Sequence, residues 1–401
     1  KIREVKLFQK RAELLLASND FHNPYFISQE SPLRDVSIME GREMINFGSY
    51  NYLSMSGDPE VNAAAIAAIN KYGTSASGSR LLAGEKDIHK DLEAAIARWK
   101  HTDDALALVS GHATNVTFIG NFCGVNDLII YDRLSHNSVI QGVLLSRAQG
   151  KFFAHNDYEE LDEYLSKNRD QYEKVLIVIE GAYSMDGDVA PVPEFVRVSK
   201  KHGCFLLVDE AHSACVLGEN GGGVDEYFNL APNDIDIKMG TLSKGLGTCG
   251  GYLAGSQMLI DYLRYNLPGF TFSVGLSPAL AGAALKVLEI MERDNSRVKS
   301  LHENIAYFVR RAQDMGFNTC LAKDTAVVPI MVGTDTAAFK LSIDMMEDGI
   351  IVPPAIFPAV PRGEARLRYC LTSSHKPEQI EYALGVLGRH MEKLKEEEGK
   401  Q

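Results

Sequence analysis

The stretch MGTLSKGLGTCGGYLAG, residues 239–255, places a single lysine, Lys244, where an apolar β-like run ends, and five glycines follow it. An ordinary surface lysine needs no such setting. Seven apolar runs of this kind are present: ALALVSG, DLIIYD, GKFFAHN, VLIVIEG, CFLLVDEAHS, DIDIKMGTLSK and GYLAGS. Helix-like segments separate several of them, so the pattern predicts an α/β domain with a mainly parallel, seven-stranded sheet covered on both faces.

The pattern changes after Pro278. A long segment of helical period reaches Gly316, and three strand-like pieces and a final amphipathic helix from about Pro377 follow. We therefore predict three parts: an N-terminal amphipathic helix and arm (1–45), a large domain (46–285) and a smaller C-terminal α+β domain (286–401).

Composition excludes several classes of protein. The net charge of −12 argues against a nucleic-acid surface. The six cysteines are scattered without a CxxC pair, which indicates free thiols in a reducing compartment and no metal site. No apolar run is long enough for a membrane span. We expect a cytoplasmic protein with no membrane or nucleic-acid partner.

Polar residues cluster where five of the predicted strands end. In doubly wound sheets ligands bind at the carboxyl edge of the strands, so these endings predict one site. The clusters are Ser110 to His112, His136, Glu180 to Ser184, Asp209 to His212, and Thr241 to Lys244.

The segment VDEAHS, 208–213, has two interpretations. It matches a helicase signature, but that class also needs an upstream GxxxxGK[ST] phosphate loop, and QGKFF at 149–153 has Phe152 in place of Ser or Thr. The other interpretation is a site for pyridoxal phosphate (PLP), which needs a lysine for covalent attachment and a carboxylate beside the pyridine nitrogen. Lys244 and Asp209 fit those needs, and His212 is placed to bond the ring oxygen.

The phosphate of PLP needs a hydroxyl group and backbone N–H groups at the start of a helix. The candidates are Thr241, Gly111 and His112.

Seven segments together resemble the α-oxoamine synthase family, PLP enzymes of fold type I. They keep the family's order and cover most of the chain from about 40 to 390: NFGSYNYL (46–53), GTSASGSRLLAG (73–84), DRLSHNS (132–138), EGAYSMDGD (180–188), VDEAHS (208–213), TLSKGLG (241–247) and GEARLRYCLTSSH (363–375). The resemblance implies condensation of an α-amino acid with an acyl thioester, carried by CoA or an acyl carrier protein. The products are an α-aminoketone, CO2 and free thiol.

The resemblance also implies roles at the cofactor. His136 would stack on the ring and Ser184 would lie near its oxygen. Asp209 would pair with the ring nitrogen, His212 with the ring oxygen, and Lys244 would hold the cofactor and act as general base.

A second set of roles concerns the substrates and the dimer. Arg366 would bind the substrate carboxylate, although Arg368 has the same facing on a strand and stays an alternative. Asn51 and Tyr52 match a pair at the acyl entrance, and Ser273 matches a segment that reaches the phosphate across a homodimer interface. We therefore expect a homodimer with its active sites at the interface.

The choice of amino acid depends on Ser79. Glycine-specific members carry Thr there, so the smaller Ser predicts alanine, serine or a larger amino acid. The nearest activities are 8-amino-7-oxononanoate synthase of biotin synthesis, serine palmitoyltransferase and glycine C-acetyltransferase. The start at Lys1 also suits a domain of a polyketide synthase-like protein of a specialised-metabolite or toxin pathway. Another fold type I enzyme, such as an aminotransferase, and a non-catalytic scaffold are the remaining alternatives.

Overall fold

The central sheet contains all seven predicted strands. The computed structural model describes residues 2–6 and 24–398. In spatial order the strands are β3 (Asp104–Leu108), β9 (Gly251–Gly255), β8 (Ile237–Thr241), β7 (Phe205–Asp209), β6 (Val175–Glu180), β4 (Leu128–Asp132) and β5 (Gln149–Phe153). Strand β9 is antiparallel to both of its neighbours, and the other six strands of this sheet run in one direction. The prediction of a mainly parallel sheet is confirmed.

Helices connect the strands and cover both faces of the sheet. Those of the sheet region are α1 (Pro59–Tyr72), α2 (Asp87–Trp99), α3 (Gly111–Phe122), α4 (Asn137–Leu145), α5 (Tyr158–Asn168), α6 (Val192–His202), α7 (Val224–Phe228), α8 (Gln257–Asn266) and α9 (Pro268–Thr271). The later helices are α10 (Pro278–Arg293), α11 (Ser296–Asp314), α12 (Asp335–Glu347) and α13 (Pro377–Glu398).

Burial on both sides explains why the sheet strands are continuous apolar runs. All six residues of β6, VLIVIE, are buried. Successive residues of a strand point to opposite faces, so Ala105 and Ala107 of β3 join one core, whereas Leu106 and Leu108 join the other. The sheet is therefore a rigid layer between two cores, and its polar side chains gather at the strand ends.

Two small sheets form outside the central one. Strand β13 (Ala365–Cys370) lies between β10 (Val327–Gly333) and β12 (Pro354–Ala355) and is antiparallel to both. The hairpin of β1 (Val36–Met39) and β2 (Arg42–Asn46) pairs with β11 (Ile350–Ile351). The sequence predicted an amphipathic helix and an arm before residue 46, and this hairpin was not predicted.

The domain boundaries at 45 and 285 stay a prediction. Strand β2 pairs with β11, and α10 runs through residue 285. Most of the predicted N-terminal amphipathic helix lies outside the described residues. Among the residues that are described, no helix is both long and apolar enough to cross a membrane.

Candidate active site

The carboxyl ends of five sheet strands bring the predicted polar residues to one edge. Gly111 begins α3 directly after β3, and His136 precedes α4 after β4. Glu180, Asp209 and Thr241 are the last residues of β6, β7 and β8. This placement follows from parallel strands, whose carboxyl ends meet at the same edge.

Lys244 is the end of a hydrogen-bonded chain of three side chains. Its Nζ lies 2.9 Å from Nε2 of His212, and Nδ1 of His212 lies 2.8 Å from the hydroxyl of Tyr52. Tyr52 is fully buried, so it fixes the orientation of the imidazole. Tyr50 flanks the same group, because the Lys244 amine lies 5.8 Å from its ring centre.

The surroundings of Lys244 favour a neutral amine. Burial lowers the pKa of Lys244 to about 8, against the opposing effect of Asp209. Burial also lowers the pKa of His212 well below its ordinary value, and the charges of Lys244 and Arg368 add to the shift. His212 is therefore neutral near pH 7 and presents one donor and one acceptor nitrogen.

Asp209 is held by two donors in a buried position. The side-chain amide of Asn115 donates to Oδ2 at 2.6 Å, and the backbone N–H of Ala211 donates to Oδ1 at 2.9 Å. The same amide of Asn115 donates to Ser138 at 3.0 Å, and Ser138 contacts the ring of His136 at 2.8 Å. One network thus links the buried carboxylate to the histidine, whose side chain is exposed at the site.

Glycines bring the start of α3 close to strands β8 and β9. A Cβ on Gly111 would lie 2.8 Å from Oγ1 of Thr241, and one on Gly251 would lie 2.8 Å from Cα of Gly111. Side chains are excluded at both positions, so the first N–H groups of a twelve-residue helix lie beside the Thr241 hydroxyl. His112, the next residue, is exposed, and its ring lies 6.1 Å from that of His136.

The two candidate arginines have different surroundings. Arg366 bonds to Asp186 at 2.7 Å, to the carbonyl of Met185 at 3.0 Å and to Glu364 at 3.2 Å. Its charge is already paired, so the preference for Arg366 as the carboxylate-binding residue is not supported by its position.

Arg368 faces the lysine. It bonds the Tyr50 hydroxyl at 2.9 Å and the carbonyl of Ser184 at 2.7 Å, and its charge lowers the pKa of both Lys244 and His212. The alternative that the sequence left open is the one that the geometry favours.

The expected acyl-entrance pair has other contacts in this structure. Asn51 is buried and bonds the carbonyl of Leu33 at 3.0 Å, while Tyr52 contacts His212. Both side chains are packed inward, and their place at the acyl entrance stays a prediction. Ser79 donates to the carbonyl of Thr271 at 2.7 Å, and Ser273 and His112 line one surface groove of about 790 Å³.

Sequence reasoning missed Asn115, and it gave Glu180 no role although it placed Glu180 in a strand-end cluster. Asn115 lies one helical turn after Gly111, so its spacing places it on the same face of α3. Glu180 ends β6 as Asp209 ends β7, and parallel pairing sets them side by side. The helical spacing of Asn115 and the strand-end position of Glu180 are both visible in the sequence. Neither indicates a function until the fold is known. In the part of the chain that is described, no group of three or more side chains is placed to hold a metal ion.

Comparisons with known proteins give the family. The model of the aminotransferase class I and II family matches residues 42–387. The 8-amino-7-oxononanoate synthase of Symbiobacterium thermophilum is 39% identical over 360 residues, which cover 90% of this chain and 91% of that protein. The chain belongs to the α-oxoamine synthase family. This family comprises PLP-dependent acyltransferases of fold type I.

Solved structures agree with that assignment. A serine palmitoyltransferase from Sphingomonas wittichii matches with a TM-score of 0.92 and 32% identity, covering 97% of both chains. A serine palmitoyltransferase variant from S. paucimobilis with a bound PLP-myriocin aldimine matches with a TM-score of 0.91 and 31% identity, over 97% of this chain and 98% of that one.

The residues of the site fit the PLP of this family. They provide an amine of lowered pKa, a buried carboxylate with two donors, and a helix start beside a hydroxyl. These groups have the chemistry needed for covalent attachment, for the pyridine nitrogen and for a phosphate.

Proposed function

We propose that the chain catalyses the decarboxylative condensation of an α-amino acid with an acyl thioester, giving an α-aminoketone, CO2 and free thiol. The observation that carries the proposal is the chain Lys244–His212–Tyr52 facing Arg368, next to the buried Asp209. A scaffold without catalysis has no need of a lysine with lowered pKa beside a neutral histidine.

The cofactor would be held by residues at the strand ends. Lys244 would bind it covalently through Nζ, Asp209 would pair with the ring nitrogen, and His136 would cover the ring. The phosphate would bind at Thr241 and at the N–H groups of Gly111 and His112, with Ser273 of a second subunit completing it. When bound, PLP supplies an electron-accepting ring that stabilises negative charge at the substrate α-carbon.

Lys244 and His212 would handle protons. A pKa of about 8 gives Lys244 an appreciable neutral fraction near pH 7, so Nζ can take the proton from the α-carbon. His212 is held in one orientation by Tyr52 and would donate a hydrogen bond during loss of the carboxylate. Ser184 would contribute near the ring oxygen, since its backbone is fixed by Arg368.

Arg368 would bind the carboxylate of the amino acid. Its guanidinium is buried, and its partners are the neutral Tyr50 hydroxyl and a backbone carbonyl, so its charge is left available to an anion. Arg366 would instead be structural, through Asp186 and Glu364.

Ser79 would set the size of the amino acid. We propose alanine, serine or a larger amino acid, because a serine leaves more room than a threonine. Its bond to Thr271 fixes the hydroxyl and would keep its small side chain in one position. The relatives named above include both an 8-amino-7-oxononanoate synthase and a serine palmitoyltransferase, which act on amino-acid and acyl-thioester substrates.

A homodimer with shared sites would complete this arrangement. Leu82, three residues after Ser79, exposes 85% of its surface, and Phe272 and Val274, which flank Ser273, expose 88% and 50%. Large apolar side chains at such exposure favour an interface. The six free cysteines suit a reducing, cytoplasmic location.

The test is a visible absorbance spectrum of the PLP-loaded protein, titrated with glycine, alanine, serine and arginine. The amino acid that changes the spectrum is then incubated with acyl-CoA and with acyl carrier protein of several chain lengths, and free thiol and CO2 are measured. We expect a visible band, a response to an amino acid larger than glycine, and equal yields of thiol and CO2.

A matched variant tests the size argument. Ser79→Thr should lower kcat/KM for the larger amino acid by about tenfold relative to glycine, the loss typical of one surplus methyl group in a pocket. A chain that binds PLP and an amino acid but releases no CO2 in the presence of thioesters would contradict the condensation. The absence of a visible band at excess PLP would contradict the proposal that this chain is an active PLP-dependent enzyme.

A further inference from the structure

Two buried carboxyl groups lie side by side at the strand ends. Glu180 and Asp209 are paired in register on the parallel strands β6 and β7. Neighbouring strands are about 4.8 Å apart, so two negative charges there would repel each other strongly. Both residues are buried, with 5% and 4% of their surface exposed.

The donors are divided unequally between the two groups. Each oxygen of Asp209 accepts a hydrogen bond, one from Asn115 and one from the N–H of Ala211. Glu180 accepts the backbone N–H of His136 at 2.5 Å through Oε1. The charged groups that act on Glu180 are Asp209 and Asp132, which oppose its ionisation, and Lys244, which favours it.

Burial and the Asp209 charge raise the pKa of Glu180 well above its ordinary value. Pairs of carboxyl groups with such different surroundings divide into one acid and one base. The unequal hydrogen-bond donors and the direction of the pKa shift both indicate Glu180 as the acid of the pair.

We infer that Glu180 is a positioning residue for His136 and acts as a neutral carboxylic acid, so that the strand-end pair carries one negative charge, located on Asp209. This inference rests on the proposed function, because it assigns the charge that would face the cofactor's ring nitrogen. Glu180 holds the backbone of His136, while Ser138 holds its ring. The histidine is therefore fixed from two sides although its side chain is exposed.

The experiment compares two isosteric substitutions, Glu180→Gln and Asp209→Asn, with Glu180→Ala and wild type. Each protein is loaded with PLP, and the dissociation constant of PLP and the pH dependence of the visible band are measured. Glutamine is neutral and keeps the oxygen that accepts from His136. We expect Glu180→Gln to match wild type in both readouts, and Asp209→Asn to bind PLP about 100-fold more weakly, because the ring nitrogen loses a charged hydrogen-bond partner.

Alanine removes the acceptor, so Glu180→Ala should weaken PLP binding by about tenfold, the size of effect seen for groups that orient a ligating histidine. A Glu180→Gln protein that binds PLP as weakly as Asp209→Asn, or whose visible band titrates at a different pH from wild type, would overturn the inference. If Glu180→Ala does not fold, the comparison of Glu180→Gln with Asp209→Asn still tests the inference. Wild type that binds no PLP would instead refute the proposed function, so the two failures are distinguishable.

Discussion

The molecule contains two lysine clusters beside β7 and β8 that differ in their partners. Lys244 contacts the neutral side chains His212 and Tyr50. Lys100, which is fully buried, forms ion pairs with Glu210 and, at 3.6 Å, with Asp225. Lys238 joins this second cluster through Asp225 at 3.0 Å.

The partners decide the state of each amine. Burial acts against the charge of both lysines. At Lys100 the attraction of Glu210 and Asp225 outweighs burial and raises the pKa, whereas at Lys244 burial prevails and lowers it to about 8. Asp209 and Glu210 are adjacent in sequence but differ in role. Asp209 faces the site, whereas Glu210 neutralises the buried charge of Lys100.

The largest expected effect is the loss of cofactor attachment and activity when Lys244 is replaced. Lys244→Ala should abolish the visible band and reduce condensation by on the order of 10³-fold or more, because both the covalent attachment and the general base are removed. The band is recorded after dialysis against PLP, and thiol release gives the rate. A variant that keeps both would mean that the site lysine has been misassigned.

The second effect is a loss of stability when Lys100, the lysine of the other cluster, is replaced. Lys100→Met should lower the free energy of unfolding by about 3–5 kcal/mol, because Glu210 and Asp225 lose a buried counter-charge. Urea unfolding measures the loss. The exposed neighbour Arg98→Met is the control and should change stability by less than about 0.5 kcal/mol. The visible band should survive in both, and its loss in Lys100→Met would contradict a purely structural role for Lys100.

The third effect is a pH dependence of the cofactor-free protein. The folded pKa of Lys244, about 8, lies below the unfolded value of 10.5. The unfolded chain therefore binds more protons between these values, and stability rises with pH across that window. Lys244→Met removes the cost of burying a charged amine. The variant should therefore be more stable than wild type at pH 7, by at most about 3 kcal/mol.

This gain of Lys244→Met should disappear as the pH approaches 10.5, and unfolding of the cofactor-free proteins at several pH values measures it. A constant difference between variant and wild type would show that packing, not the charge of the amine, separates them.

The smallest effect concerns the arginines on β13. Arg368→Met should raise KM for the amino acid by about 10- to 100-fold, the loss of one charge-assisted hydrogen-bonding group. Arg366→Met is its matched partner on the same strand face and should act mainly on the thermal midpoint, since Asp186 and Glu364 lose their cation. The reverse result would restore Arg366 as the carboxylate-binding residue.

The central sheet was predictable because its strands are buried on both faces and therefore read as unbroken apolar runs. The hairpin of β1 and β2 was not, since its strands have only four and five residues and are completed by β11, far along the chain. Lys244 and Asp209 were predictable from their places at strand ends. The choice between Arg366 and Arg368 was not, because residues two apart share a strand face and only distant partners distinguish them.

The pairing of β2 with β11 also governs when the protein can finish folding. Ile45 pairs with Ile350, and the N–H groups of Cys370 and Ser373 donate to the carbonyls of Phe47 and Tyr52 at 2.7 Å each. Contacts between such distant parts of a chain form late and slowly. Residues 45–52 therefore gain these contacts only after the chain has been synthesised as far as Ser373. All strands of the central sheet precede residue 256, whereas the hydrogen-bonded chain Lys244–His212–Tyr52 depends on these later contacts.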